Sequence, residues 1–291
     1  MPTGDDLYDP AYIRALFDSM AGSYERVNII TSFGFSRRWR KAAVAALEAR
    51  SGDVVVDAMT GMGEGWPFLA ARLGPTGRIV ATDLSPGMLA GARARRAAVP
   101  GLSIDVRECD SLACGLPDES VDGVLCLFGI KTLSAPQRLA FAAEIHRILR
   151  PGGRYSMIEV STPPMWLLRW PYGFYLRRII PLLGRLLLGD PDNYRMLAIY
   201  TMAFGDAHAM RVALEMVGLR ARFTSHFFGC ATGVVGERPS RVAQMPEPSR
   251  LQRGARDRLR PPSGPRPRAR SRKRGRRPAP DRVRPACPSP G

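Results

Sequence analysis

The feature that most constrains the fold is an alternation of short apolar runs with helix-like stretches between residues 54 and 160. Strands that alternate with helices in this way form a parallel sheet covered by helices on both faces. The apolar runs are Val54–Val56, Ile79–Ala81, Ile104–Val106, Val121–Leu127 and Tyr155–Val160. The helix-like stretches are Trp66–Leu73, Met88–Val99 and Arg138–Leu149.

Further elements flank this core. Residues 9–28 have apolar residues at helical spacing and predict one helix. A helix at 206–217 and an antiparallel strand pair, 220–228 and 231–236, are predicted to finish the sheet. The length of this body predicts one α/β domain over residues 1–236.

Charge and proline content change abruptly at residue 237. The 291-residue chain has a formal net charge of +17, and residues 237–291 hold 17 of its 43 basic but only 4 of its 26 acidic residues. They also hold 12 of the 26 prolines, so this basic tail is predicted to be disordered. Clustered arginines could bind nucleic acid or anionic lipid without specificity. The same composition is also what an unselected reading frame in GC-rich DNA would encode.

Signals for the membrane and the secretory route are missing from the sequence. No apolar run approaches the roughly 18–20 residues of a membrane-spanning helix, and the start, MPTGDD, does not resemble a signal peptide. The five cysteines show no CxxC spacing and the three histidines offer no zinc pattern, so no metal site is predicted. We therefore expect a cytoplasmic protein.

A glycine-rich loop follows the first predicted strand. The sequence from Val54 to Gly65 reads VVVDAMTGMGEG, so Asp57 ends the strand and the loop contains Gly61, Met62 and Gly63. Small residues at the carboxyl end of a strand let the backbone approach a ligand closely. The loop therefore predicts a binding site, although a turn that only serves tight packing remains an alternative.

Acids end the next two strands as well. Asp83 lies twenty residues after Gly63, where it can accept hydrogen bonds from ribose hydroxyls, and Asp110 with Ser111 follows the third strand. Because the carboxyl ends of parallel strands meet at one edge of the sheet, these acids and Asp57 are expected to surround one crevice.

Two cofactors compete for this loop. A dinucleotide site would have the pattern GxGxxG, whereas this chain has GxGxG, with Trp66 at the third position of the longer pattern. An acid directly before the loop would repel a pyrophosphate, but it would attract the ammonium group of a methionine moiety. The loop therefore favours S-adenosylmethionine over NAD.

The order of elements resembles the Rossmann-like class I methyltransferase fold, in which a mostly parallel seven-stranded sheet ends in an antiparallel pair. The turn Leu149–Gly153, with its Pro-Gly-Gly, fits this fold. Within it, residues 12–236 resemble the ubiquinone/menaquinone biosynthesis C-methyltransferases. The matching segments are Phe17–Asn28, Ser32–Gly34 with Trp39, Phe128–Lys131 and Gly189–Leu197.

This resemblance implies a methyltransferase that uses S-adenosylmethionine and methylates a quinol-type or related lipophilic aromatic acceptor. It places cofactor contacts at Gly61, Met62, Gly63, Asp83, Asp110 and Ser111, with Asp57 as the acid that ends the first strand. It places Tyr24 and Asn28 in the substrate pocket, and Tyr194 and Arg195 in a segment that covers it.

The chain departs from the family pattern after the fourth strand. The family usually has Phe-Gly-Leu-Arg-Asn where this chain has Phe128–Thr132, and an Arg-to-Lys change is not conservative where a planar fork is used. Other acceptors, including O- or N-methylation of another small molecule or lipid, therefore stay open. So does a basic nucleic-acid- or membrane-binding protein that has lost activity.

Carbon methylation of a quinol requires loss of a ring hydroxyl proton. The resemblance points to Tyr24, Asn28 and Lys131 as the group that orients and deprotonates this hydroxyl, with Lys131 stabilising the phenolate. Lys131 as a solvated loop residue is the alternative. Among the histidines, His226 on the penultimate predicted strand is the best other candidate for a base.

Residues 164–200, the covering segment, are predicted to lie over the substrate site. Their first part is rich in Trp, Leu, Ile and Tyr, so one interpretation is a lid that also touches an anionic membrane surface. The other is a helix pair packed on the body with snorkelling arginines. The arginines are Arg169, Arg177, Arg178 and Arg185.

Overall fold

The computed structural model describes residues 4–182 and 191–240. Arg185 and most of the basic tail lie outside the described residues. The described strands form one sheet. They are β1 Val54–Ala58, β2 Arg78–Asp83, β3 Ser103–Glu108, β4 Val121–Leu127, β5 Leu149–Val160, β6 Arg220–His226 and β7 Ala231–Glu237.

The sheet has the strand order β3-β2-β1-β4-β5-β7-β6. Its pairs are parallel from β3 to β5, whereas β7 runs antiparallel to both β5 and β6. The predicted fold class, a mostly parallel seven-stranded sheet with an antiparallel C-terminal pair, is confirmed.

Helices cover both faces of the sheet. They are α1 Pro10–Met20, α2 Tyr24–Thr31, α3 Phe35–Leu47, α4 Trp66–Leu73, α5 Pro86–Arg95, α6 Ala135–Ile148, α7 Trp166–Phe174, α8 Pro191–Phe204 and α9 His208–Met216. Alternate residues of one strand serve opposite faces: Val55 packs with α3, α4 and α5, whereas Val56 packs with α6 and α9.

Side-chain caps start several of these helices. Asp9 accepts a hydrogen bond from the Tyr12 N–H (2.9 Å) at the start of α1, and Ser85 accepts one from the Met88 N–H (3.0 Å) at α5. Ser134 and Gln137 form a capping box at α6. These caps satisfy N–H groups that have no partner within the helix.

The amino-terminal region differs from the prediction of one helix over residues 9–28. The structure has α1 and α2, separated at residues 21–23, and a further helix, α3, that the sequence did not predict. Phe33 and Gly34 have positive φ angles of 48° and 75°, which end one helix before the next begins. The buried side of α3 includes Ser36 and Arg40, and these polar residues hide its helical periodicity.

The topology brings the carboxyl ends of β1 to β5 to one edge, where the strand order reverses between β1 and β4. Helices α1, α5 and α8 share an apolar cluster beside this edge. The Asp18 carboxylate fixes α1 to α5 by accepting from the Ser85 hydroxyl (2.5 Å) and the Gly87 N–H (2.9 Å). None of the described helices has the length and apolar character needed to cross a bilayer.

Candidate active site

The loop after β1 has a backbone that only glycine satisfies at one position. Gly63 has φ = 73°, and a Cβ placed there would lie 2.6 Å from the ring of Trp66, which is fully buried. The Gly61 N–H donates to Asp83 Oδ2 (2.8 Å), so the loop is held against the end of β2. The glycines therefore serve a tight turn at the mouth of the sheet.

A polar crevice lies along the ends of β1, β2 and β3. Its walls include Gly61, Glu64, Asp83, Asp110 and Ser111. Burial raises the pKa of Asp83, and backbone N–H groups from the neighbouring turn and the loop partly oppose this shift. The Ser111 hydroxyl is fixed by the Thr82 hydroxyl at 2.8 Å. Carboxylates and a hydroxyl thus converge where a cation with sugar hydroxyls would be complementary.

Asp57 does not face this crevice, which corrects the prediction for the acid before the loop. It is almost completely buried beneath the loop, and its Oδ2 accepts from Trp66 Nε1 (3.0 Å) and from the Thr60 hydroxyl. Burial raises the pKa of Asp57 to about 7. Among the described residues, no group hydrogen-bonds to its other oxygen, Oδ1. The acid that faces the crevice from this loop is Glu64.

Met62 also points away from the crevice. Its side chain packs on α5, where a Cβ added at Gly91 would lie 2.4 Å from Met62 Cε. Its carbonyl oxygen accepts from Arg95 Nε (2.8 Å). Neither Met62 nor Gly63 is among the crevice walls, so within the described structure both support the loop rather than present a side chain to a ligand.

An apolar cavity of about 400 Å³ lies next to the polar crevice. Its walls come from α2, α3, the turn after β4, α7 with the following turn, and α8. The described part of the covering segment contributes several of these residues. They include Tyr172, Tyr175, Leu176, Ile180, Leu197 and Ala198.

Three residues, Tyr24, Arg40 and Phe128, line both the crevice and the cavity. Arg40 is buried, and its Nη2 lies 3.3 Å from Glu64 Oε1. Its guanidinium carbon also lies 4.9 Å from the centre of the Phe128 ring. A buried cation paired with a carboxylate and stacked on an aromatic ring is held firmly in place. The two spaces therefore meet at a rigid junction.

Lys131 is buried in the wall of the apolar cavity. It is 4% exposed, and its Nζ donates to Glu159 Oε1 (2.8 Å) and to the Phe128 carbonyl (2.9 Å). Burial by itself lowers the pKa of Lys131, but the negative charge of Glu159 and its hydrogen bond with the ammonium group outweigh burial and raise the pKa. Lys131 is therefore an ammonium ion at the cavity wall, and its interpretation as a solvated loop residue is wrong.

The remaining predicted catalytic and covering residues are Asn28, Tyr194, Arg195 and His226. The side chains of Asn28 and Tyr194 lie outside the described residues. Arg195 is exposed, and in the described structure neither it nor His226 lines the crevice or the cavity. Burial lowers the pKa of His226. Among the described side chains of the predicted catalytic group, Tyr24 and Lys131 both line the apolar cavity.

Three site residues were missed in the sequence. Glu159 interrupts the apolar run at the end of β5, and an acid in a buried strand is a signal that could have found it. Glu64 lies in the glycine loop itself, between Gly63 and Gly65. Arg40 gave no comparable signal, because it is one of several basic residues in α3.

The sheet order, the glycine loop after β1 and the acids at the ends of β2 and β3 define a class I methyltransferase. The chain belongs to the ubiE/COQ5 methyltransferase family, whose sequence profile matches residues 6–237. The family resemblance and the methyltransferase class expected from the sequence are thereby confirmed.

Individual relatives agree with this assignment. The demethylmenaquinone methyltransferase of Thermus thermophilus is 33% identical over 224 residues, which are 77% of this chain and 100% of that protein. The ubiquinone/menaquinone biosynthesis C-methyltransferase UbiE of Geobacter sulfurreducens is 32% identical over 232 residues, 78% of this chain and 88% of that protein. A chain of the complex between the Haloferax volcanii Trm112 methyltransferase activator and a methyltransferase has the same fold. The superposition of the two chains has a TM-score of 0.53 at 20% sequence identity, and it covers 77% of this chain and 97% of the other.

Proposed function

We propose that this protein transfers a methyl group from S-adenosylmethionine to a ring carbon of a quinol-type, lipophilic aromatic acceptor. The observation that carries the proposal is the junction at Tyr24, Arg40 and Phe128, where a polar crevice opens to an apolar cavity. A charged cofactor and a greasy acceptor can meet there. The names of the related demethylmenaquinone and UbiE methyltransferases point to the same acceptor class.

The crevice has polar groups that complement those of S-adenosylmethionine. Asp83 and Asp110 offer carboxylate oxygens to ribose hydroxyls. Glu64 and Arg40 form a buried pair of opposite charges, which matches the ammonium and carboxylate groups of a methionine moiety. When bound, the cofactor supplies a methyl group made electrophilic by its sulfonium.

Lys131 activates the acceptor in this proposal by electrostatics. Because Glu159 keeps Lys131 protonated, it cannot take the acceptor's hydroxyl proton, but its charge stabilises the phenolate left when that proton goes to solvent. Two of the three ammonium hydrogens are used by Glu159 and the Phe128 carbonyl. Among the described residues no other group accepts from Lys131 Nζ, so the third hydrogen can be donated to an acceptor oxygen in the cavity, which the Tyr24 side chain helps to orient.

The apolar walls also contribute to catalysis. Trp39, Phe128 and Tyr172 surround the acceptor's ring with apolar surface and exclude water from the reacting carbon. Fixing the ring at the junction turns an encounter between two molecules into a reaction within one complex, which can lower a barrier by about 7–11 kcal/mol. Positioning therefore supplies most of the proposed rate acceleration.

The proposal is tested with purified protein, deuteromethyl-labelled S-adenosylmethionine and reduced demethylmenaquinone of short side chain. Mass spectrometry of the extracted product should show a methyl group that carries the label and resists hydriodic acid, because that acid cleaves methyl ethers but not ring C–methyl bonds. The control is the double variant Lys131→Met/Glu159→Gln, which removes the ion pair without leaving a buried charge unpaired.

Each outcome is informative. A labelled ring carbon with wild type and about a hundredfold less with the double variant supports the proposal. A label lost on acid treatment identifies O-methylation instead. Calorimetric binding of S-adenosylmethionine without transfer to any quinol would remove the acceptor class, and no binding by the folded protein would remove the cofactor.

A further inference from the structure

We propose that the face around the mouth of the apolar cavity docks on an anionic lipid bilayer, from which the acceptor enters directly. The inference rests on the proposed function only for the nature of that acceptor. Phe33 and Phe227 line the cavity, yet their side chains are 78% and 52% exposed. The cavity therefore opens at an aromatic rim rather than at a polar one.

Exposed apolar side chains from several elements continue this rim. The ring of Phe33 stacks on Tyr175, just after α7, with ring centres 6.0 Å apart. The ring of Phe227 lies 5.6 Å from that of the exposed Phe228. A Cβ added at Gly229 would lie 2.5 Å from Pro164, so the turn that carries both phenylalanines packs directly before α7.

Helix α7 supplies the largest exposed groups of this surface. Trp166 and Trp170 are 81% and 78% exposed, and Leu167 and Phe174 are exposed as well. We call Phe33, Leu167, Trp166, Trp170, Phe174, Phe227 and Phe228 the rim patch. Several large exposed apolar side chains on neighbouring elements are typical of an interaction site, and tryptophan suits a membrane interface because one end of its ring system is polar.

The charge around the rim patch identifies the occupant as an anionic bilayer. Residues 161–182 contain the exposed Arg169, Arg177 and Arg178 and no acidic residue. Helix α3, which begins at the same mouth, carries the exposed Arg37 and Arg38 and also has no acid. Apolar groups that insert between headgroups and arginines that meet lipid phosphates are the two components of peripheral membrane binding.

Tryptophan emission offers a direct test. The chain has four tryptophans; Trp39 and Trp66 are buried, whereas Trp166 and Trp170 lie in the rim patch. The full-length protein is mixed with phosphatidylcholine–phosphatidylglycerol vesicles whose acyl chains are brominated, because bromine quenches tryptophan only on contact within the hydrocarbon. The expected result is quenching that disappears in Trp166→Phe/Trp170→Phe.

Two matched pairs of variants locate the binding surface. Leu167→Asp/Phe174→Asp should weaken vesicle partition at least about tenfold, whereas Val212→Asp/Met216→Asp, which alters exposed apolar residues of α9, should leave it unchanged. Replacing Arg169, Arg177 and Arg178 by Glu should reduce binding in proportion to the phosphatidylglycerol content. The same change at three exposed arginines of α4, α5 and the turn after α5 is its control; these are Arg72, Arg93 and Arg96.

The basic tail contains no tryptophan, so this assay separates its adsorption from docking of the rim patch. Vesicle binding without quenching, or quenching that survives the α7 substitutions, would overturn the proposal. Binding of a protein partner to this face would likewise leave brominated vesicles without effect. Neither cofactor nor acceptor is present in the assay, so its result does not depend on whether methyl transfer to a quinol is demonstrated.

Discussion

Asp57→Asn should flatten the dependence of the free energy of unfolding on pH. Burial raises the pKa of Asp57 from 3.8 to about 7. Between these two values the folded protein keeps a proton that the unfolded chain has lost, so stability falls as the pH rises through this window. The whole effect is about 4 kcal/mol, and more than half of it falls between roughly pH 5 and pH 8.

The asparagine variant keeps the local geometry but removes the ionisation. Its amide oxygen can still accept from Trp66 and Thr60, as Oδ2 of Asp57 does. Its NH₂ group would occupy the position of Oδ1, for which the described residues offer no partner. An unsatisfied buried donor costs about 1–3 kcal/mol at every pH. The variant is therefore expected to be less stable at low pH and to recover relative to wild type as the pH rises.

Urea unfolding followed by circular dichroism at several pH values between about 5 and 8 measures this difference. The control is Asp105→Asn: its hydrogen bonds with Arg107 lower the pKa of Asp105, so both states are ionised throughout the window. Removing it should leave the slope as in wild type. Parallel slopes for wild type and Asp57→Asn would refute the assignment of a proton to buried Asp57.

Three other substitutions have defined outcomes. The double variant Lys131→Met/Glu159→Gln should lower kcat about 10²–10³-fold, with little change in the calorimetric affinity for S-adenosylmethionine, because the ion pair faces the acceptor; an equal loss of affinity would contradict this. Glu64→Gln should do the opposite, weakening that affinity about tenfold through loss of one charge-assisted contact; unchanged affinity would exclude Glu64 from the cofactor site. Gly63→Ala should cost about 2–4 kcal/mol in urea unfolding, because its Cβ would lie 2.6 Å from a buried tryptophan ring and its φ is positive. Gly22→Ala, with no atom within 4 Å of its Cβ, is the control, and equal effects would argue against the steric reason.

Elements with one apolar face could be predicted closely. The apolar run Val121–Leu127 and the helical spacing of Trp66–Leu73 have the same bounds as β4 and α4. Their periodicity is a local property, since every second strand residue and every third or fourth helix residue must face the core. Helix α3 was missed because its buried side includes the polar residues Ser36 and Arg40, and Arg40 is paired there with the distant Glu64.

The sequence could also predict the positions of only some of the acids in the site. Asp83 and Asp110 follow the ends of two predicted parallel strands, and parallel strands bring their carboxyl ends to one edge of the sheet. The sequence therefore predicted that both acids line one crevice, as they do in the structure. The loop sequence did not show that Asp57 turns inward to Trp66 while Glu64 turns outward. That choice follows from positive φ angles at Met59, Gly61 and Gly63 and from the packing of the tryptophan.

Hydrophobic pattern, glycine spacing and the placement of acids were enough to establish a parallel α/β sheet, its closing antiparallel pair and a methyltransferase loop. The charges that govern the proposed chemistry required the folded arrangement. Arg40 lies 24 residues from Glu64, and Lys131 lies 28 residues from Glu159. A buried charge is stable only beside its partner, and packing of separate elements, rather than any local pattern, brings such partners together.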